Sequence, residues 1–248
     1  MENDVRRIGD LASLESFDPA AFKADGKVSQ DVCNFVLTLG LIFNDLKDLI
    51  HTQVLLLTQK PEGEFRITRH WGDYAGVEGH ILRLMLGLFR EILVLIDAND
   101  NVLSDPYFQS VIFSLKKEER SIWDSLIAMA QGKKPTTPEG LLALKARNAV
   151  TFHYEPKAIY RGYSEYFSSG SRGSERAFIS RGDGTADTRL FFADAAVTGY
   201  FMTQIGDGDA AILDKTLKQL LDSLILFKIV HNFIQKRGFA YRAETEES

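Results

Sequence analysis

A single cysteine, Cys33, occurs in 248 residues. That excludes a disulfide within the chain and suits a reducing compartment. The opening residues Met1-Glu2-Asn3-Asp4-Val5-Arg6-Arg7 are charged and carry no apolar run, so no secretory signal is read there and the expected location is cytoplasmic. The most apolar stretch, from Ile81 to Ile96, is broken by Arg83, Arg90 and Glu91, which makes it a core helix and leaves no membrane span to expect. His51, His70, His80 and His231 show no metal-ligand spacing with cysteine or paired carboxylates. The strings Gly182-Asp183-Gly184 and Gly206-Asp207-Gly208-Asp209 lack the length and terminal glutamate of a calcium loop, so no metal and no cofactor are assigned. Excess positive charge is missing too: the formal net charge of −5 argues against bulk, sequence-blind adhesion to nucleic acid. We find no internal repeat and no domain linker.

What is present is helical periodicity. From Ser29 onward, Val32, Val36, Leu39, Phe43, Leu46, Ile50, Val54 and Leu57 draw one continuous apolar stripe, broad enough to belong inside a bundle. Thr58 to Gly72 reads as a connection with room for a small strand at Phe65 to Thr68. A second long helix runs from about Asp73 to Ile96, with Val77, Ile81, Leu84, Leu88, Ile92 and Leu95 on its seam. Asp105-Pro106 opens a shorter helix to about Leu115, and another spans about Glu118 to Gln131. The last long helix is read from Asp209 to Gly238, with His231 on its apolar seam as a core histidine.

These elements predict a mainly α, antiparallel helical bundle with a small irregular or β-hairpin insertion before the last long helix. Residues 1–27 are expected to form a loosely packed arm, 28–238 a single bundle domain with the insertion at about 157–205, and 239–248 a frayed tail. Within the insertion, Ala158 to Phe167 and Asp194 to Ile205 read as helical. The segments from Ala177 to Ser180 and from Thr188 to Phe192 read as hairpin arms. Tyr160, Tyr163, Tyr166 and Phe167 offer rings on which bases could stack, with packing against the bundle the expected role.

The chemistry concentrates between Thr136 and Pro156, TTPEGLLALKARNAVTFHYEP. Thr137 can cap a helix, Pro138 suits its first position, and Glu139 favours the positive end of the dipole. Pro156 reads as the stop, which puts His153 and Tyr154 in the last turn, where the negative end of the dipole stabilises an imidazolium. At about 100° and 1.5 Å per residue, six steps set Arg147 and His153 about 120° apart around a regular helix and about 9 Å apart along it. Two copies related by a twofold axis bring such residues together more readily than one. Lys133, Lys134, Lys145, Lys157, Arg161, Arg172, Arg176 and Arg181 add positive charge, interspersed with Glu139, Glu155, Glu165 and Glu175.

The heptapeptide Arg147-Asn148-Ala149-Val150-Thr151-Phe152-His153 resembles the arginine, polar residue, four spacers and histidine signature of the HEPN superfamily, small helical proteins that include many metal-independent endoribonucleases and toxins. The resemblance covers seven residues. It implies Arg147 and His153 as a catalytic pair, with Asn148 as supporting polar residue, at a composite site in a homodimer. It further implies an RNA substrate, for which Lys145, Tyr154, Lys157 and Arg161 are the expected contacts, and a possible antitoxin-type protein partner such as a nucleotidyltransferase. Some relatives carry a modifiable tyrosine two places after the histidine; here Tyr154 follows at once and position 155 is Glu155. The alternative function is a noncatalytic helical module that binds a protein partner or a nucleotide.

Overall fold

A computed structural model describes residues 14–63, 68–130, 135, 137–152, 154–168, 177–180, 188–205, 210–238 and 242–244. The chain is mainly α, as its periodicity predicts. Helix α1 covers Gln30–Leu57 and α2 covers Arg69–Asp97. A one-turn helix at Asp100–Leu103 leads into α3, Pro106–Phe113, and α4, Lys117–Ala130. Then come α5, Pro138–Ala146, a π-helical turn at Arg147–Thr151, and α6, Pro156–Ser168. The chain closes with α7, Phe191–Ile205, α8, Ala210–Asp222, and α9, Leu226–Lys236.

Local chemistry sets several of these boundaries. The Ser29 hydroxyl accepts from the Val32 amide and begins α1, and the Asp105 carboxylate accepts from Tyr107 and Phe108 at the start of α3. Thr137 does the same for Gly140 at 3.2 Å. Each satisfies an amide that the first helical turn leaves without a partner. Gly238 stops α9 in the left-handed region, at φ 75°. Helix α2 begins at Arg69, four residues before the expected Asp73, because Thr68 accepts from the Trp71 amide and acts as the cap.

The core lies where α1 packs on α2 and α9, and α2 packs in turn on α4 and α5. Phe89, Phe108, Trp123 and Phe233 are fully buried there with Leu39, Leu46, Ile92 and Leu126. Phe108 meets Phe35 and Trp123 edge-on, the arrangement that ring quadrupoles favour. The far end of the α1 stripe leaves this core, for Val54, Leu55 and Leu57 are exposed. His231 is half-buried beside Phe227.

Part of the described N-terminal segment is fastened to the bundle. Leu14–Ser16 (β1) pairs antiparallel with Arg242–Glu244 (β2). Ala21 and Val28 are buried, and Phe22 lies against Phe233. The Arg237 guanidinium fastens this segment by donating to the Ala21 and Lys23 carbonyls and to the Asp25 carboxylate. Hydrogen bonds from the Lys27 amide, from Arg237 and from the Val28 amide hold the Asp25 carboxyl below its ordinary range.

The insertion is a helical hairpin more than a β one. Helices α6 and α7 pack along each other through Gly162 and Gly199. A Cβ on Gly162 would overlap the Ala196 carbonyl, and one on Gly199 would overlap the Gly162 carbonyl. Of the expected hairpin, the described residues contain one antiparallel bridge, Ser180 to Arg189. Tyr163 and Phe167 meet with tilted rings at 4.7 Å, but Tyr160 is 71% exposed and does not pack on the bundle as expected. The strand expected from Phe65 lies largely outside the described residues.

Candidate functional site

The motif segment runs along one face of α2. Gly76, His80, Arg83, Gly87 and Glu91 follow one another at steps of four, three, four and four, which keeps them on a single stripe of that helix. The chain after α5 descends this stripe. At its upper end Arg147 Nε donates to Glu91 Oε1 at 2.6 Å, and Arg147 Nη1 donates to Asn148 Oδ1 at 3.1 Å. One turn lower, Gly87 makes room for Phe152 and Thr151, since a Cβ there would stand 2.8 Å from each. Lower again, the Thr151 hydroxyl donates to the Arg83 carbonyl at 3.0 Å.

The helix expected to run through to Pro156 does not. Arg147–Thr151 widens into a π turn, in which the Phe152 amide reaches back to the Arg147 carbonyl at 3.3 Å. The Glu155 amide bonds the Ala149 carbonyl at 3.1 Å, and Pro156 then opens α6. The proline that reads as a stop is therefore a start, a position that suits its fixed φ and missing amide hydrogen. Regular α spacing consequently does not relate Arg147 to the end of its motif. Wide turns of this kind occur frequently at functional sites.

The expected site residues fall into two groups. Arg147 and Asn148 touch, on a guanidinium whose side chain is 34% exposed. Lys145, Lys157 and Arg161 are exposed, as is Tyr154, and among the described residues no hydrogen bond or ion pair joins them to Arg147. His153 lies outside the described residues, as do Lys133, Lys134, Arg172, Arg176 and Arg181. Phe152, Tyr154 and Tyr160 expose more than half their surface around this segment.

Charge around Arg147 is mixed. Arg90 is buried on α2, and burial lowers its pKa, with Arg147 acting in the same direction while Asp97 and Glu91 oppose it. Arginine remains charged under such a shift, so two guanidiniums share this end of α2 with Glu91 and Asp97. Anchored through Nε and Nη1, Arg147 donates from Nη2 to no acceptor among the described residues. A fixed guanidinium with a free donor edge is what a phosphate or carboxylate oxygen needs. No cluster of three or more potential metal ligands occurs among the described residues.

Five residues that sequence reasoning did not assign to the site belong in this description: Glu91, Gly87, Arg83, Arg189 and Asp194. Arg83 Nη2 lies 3.1 Å from His80 Nδ1, and Arg189 Nε donates to Asp194 Oδ2 at 2.8 Å. Burial depresses the His80 pKa, and the Arg83 and Arg189 guanidiniums depress it further, against the pull of Asp194. On the other side, Tyr200 is buried near Glu155 and Arg161, and burial raises its pKa.

Compared with protein-family models, with curated proteins and with solved structures, the chain matches none of them. Fold and site thus define a class no narrower than a mainly helical bundle with an anchored arginine on a π turn. None of its described helices is long and apolar enough to cross a membrane.

Proposed function

We propose that this chain is an RNA-cleaving protein of HEPN type, acting as a homodimer without a metal. Attack by an RNA 2′-hydroxyl on the neighbouring phosphate needs a proton carrier and a fixed positive charge for the phosphoryl oxygens. His153 fills the first role and Arg147 the second, with Asn148 helping to hold the guanidinium. One observation carries the reading: Glu91 and Asn148 fix two nitrogens of Arg147 while its side chain stays one-third exposed at 34%. An arginine kept for stability alone gains little from a pair this open to solvent. Lys145, Lys157 and Arg161, all exposed, supply electrostatic attraction for a strand, and the exposed ring of Tyr154 suits base stacking. Expression without its antitoxin-type partner is then expected to arrest growth.

The test is cleavage of single-stranded RNA by purified protein in excess chelator. Wild type is expected to cut, and Arg147→Ala to lose the cut while keeping its helical circular dichroism. Cutting by Arg147→Ala at the wild-type rate overturns the reading.

A second reading has its own support. Phe152, Tyr154 and Tyr160 are 51%, 67% and 71% exposed, and the Arg147 charge is already paired within the chain, as on a noncatalytic module that docks a protein or nucleotide. Under it, Tyr160→Ala weakens partner binding and no variant changes RNA turnover.

A further inference from the structure

The lower end of the α2 stripe gathers cationic groups that the motif does not use. Arg83 and His80 are three residues apart on α2, joined at 3.1 Å through Nη2 and Nδ1. A guanidinium has only donors, so Nδ1 is the acceptor, and the ring proton of a neutral His80 sits on Nε2. Arg189 arrives from the segment before α7, and its guanidinium lies on Gly76, where any Cβ would overlap it. Asp194 anchors that guanidinium through Nε.

No carboxylate among the described residues pairs with Arg83, and its buried Nε has no hydrogen-bond partner. With Arg83 and Arg189 positive, Asp194 negative and His80 neutral, the cluster keeps one net positive charge. Such a group, with Arg83, Arg189 and Asp194 half-buried and His80 exposed, presents donors from two guanidiniums and an imidazole and is complementary to a tetrahedral oxyanion. Its relation to Arg147 is fixed by α2. Eight residues separate Arg83 from Glu91, or about 12 Å at 1.5 Å per residue. A stacked strand rises about 3.4 Å per nucleotide, so that span corresponds to roughly three to four nucleotides.

We infer that Arg83, Arg189 and His80 form a second phosphate subsite, holding a phosphodiester of the RNA strand a few nucleotides from the one at Arg147. This rests on the nuclease reading for its substrate class. The subsite makes affinity depend on strand length: a dinucleotide reaches Arg147 alone, whereas a longer strand reaches both ends of the stripe. The lower end supplies binding and not the chemical step.

The test uses the full chain and 2′-O-methyl oligonucleotides of two and eight nucleotides, which bind but lack the attacking hydroxyl. Affinities are measured by fluorescence anisotropy over a range of salt, and cleavage of unmodified RNA is measured separately. Arg83→Gln keeps the backbone carbonyl that Thr151 uses. It is expected to weaken the eight-nucleotide strand several-fold, leave the dinucleotide unchanged, and reduce the salt slope by about 0.7 for one lost single-strand phosphate contact. Arg189→Gln is expected to act in the same direction, which guards against an effect peculiar to one variant.

An unchanged slope and affinity in both folded variants overturns the subsite, even if wild type cleaves RNA. Length-dependent loss with no cleavage by wild type keeps the subsite and overturns the nuclease reading. Wild type that binds neither oligonucleotide overturns both. Inorganic phosphate binding that is lost in Arg83→Gln, with no dependence on strand length, assigns the cluster to a free anion and overturns the strand subsite.

Discussion

Replacing Glu91 separates an arginine that is merely present from one that is aimed. Glu91 Oε1 stands 2.6 Å from Arg147 Nε, with the side chains 40% and 34% exposed. Solvent screens a pair this open, so its net contribution to folding is about 1 kcal/mol or less. In a domain of this size that amounts to a fall in Tm of roughly 2–4 °C at most. Under the proposed function the consequence for turnover is larger. Glu91→Ala leaves the guanidinium in place but frees it to swing on its stem, and a displacement of about 1 Å costs on the order of 10²-fold in rate. Glu91→Gln retains a carbonyl oxygen for Nε and is expected to recover most of that loss. Kinetics on a short RNA, alongside thermal melts of the same preparations, give both numbers. If Glu91→Ala cleaves at the wild-type rate while its Tm falls as expected, the orienting role of Glu91 is refuted.

Other expectations follow from packing and protonation. Gly162→Ala forces α6 from α7, since its Cβ would overlap the Ala196 carbonyl; we expect a loss of about 1–3 kcal/mol in denaturant titration, and wild-type stability would contradict the crossing. Thr137→Ala removes the cap of α5 and is expected to cost about 1 kcal/mol, read by the same titration. His80 is expected to titrate below its ordinary value near 6.5 by NMR, because of burial and two guanidiniums, and Arg83→Gln should raise it. Between that depressed pKa and 6.5 the unfolded chain binds more protons than the folded one, so His80 makes stability fall as pH drops through this window. The Cys33 thiol is buried and its pKa raised by burial. A thiol reagent at pH 8 is expected to label it only after unfolding.

The bundle was legible because its causes are local. Ser29, Asp105 and Thr137 announce helix starts through hydroxyl or carboxylate caps that act within three residues, and the apolar stripes of α1 and α2 carry the period of a buried helix face. Pro156 reads as a stop and acts as a start because a proline just past one helix and a proline opening the next have the same local signature. The π turn at Arg147–Thr151 follows from tertiary fit: Gly87 admits Thr151 and Phe152, and the Arg83 carbonyl takes the Thr151 hydroxyl. No helical period encodes that arrangement.

The candidate site was half legible for a related reason. Arg147 and Asn148 are neighbours in the motif, whereas Glu91 lies 56 residues away and Arg83 is 68 residues from Thr151. In the sequence, Arg83 and Glu91 register only as interruptions of an apolar run. Their alignment with Gly87 on one stripe is visible, but nothing local says which segment covers it. The fastening of the N-terminal segment is just as invisible locally, because its anchor, Arg237, is more than 200 positions distant, with separations of 212 to 216 residues to its acceptors.

Mixing two silent variants tests the proposed composite site most directly. Arg147→Ala and His153→Ala are each expected to leave RNA uncut in excess chelator. After exchange of subunits in equal amounts, half the dimers contain one of each variant, and one of the two sites in such a dimer is intact, so about a quarter of wild-type cleavage should return. Cleavage by either variant alone, or a mixture as silent as its components beside an active wild type, would contradict the account.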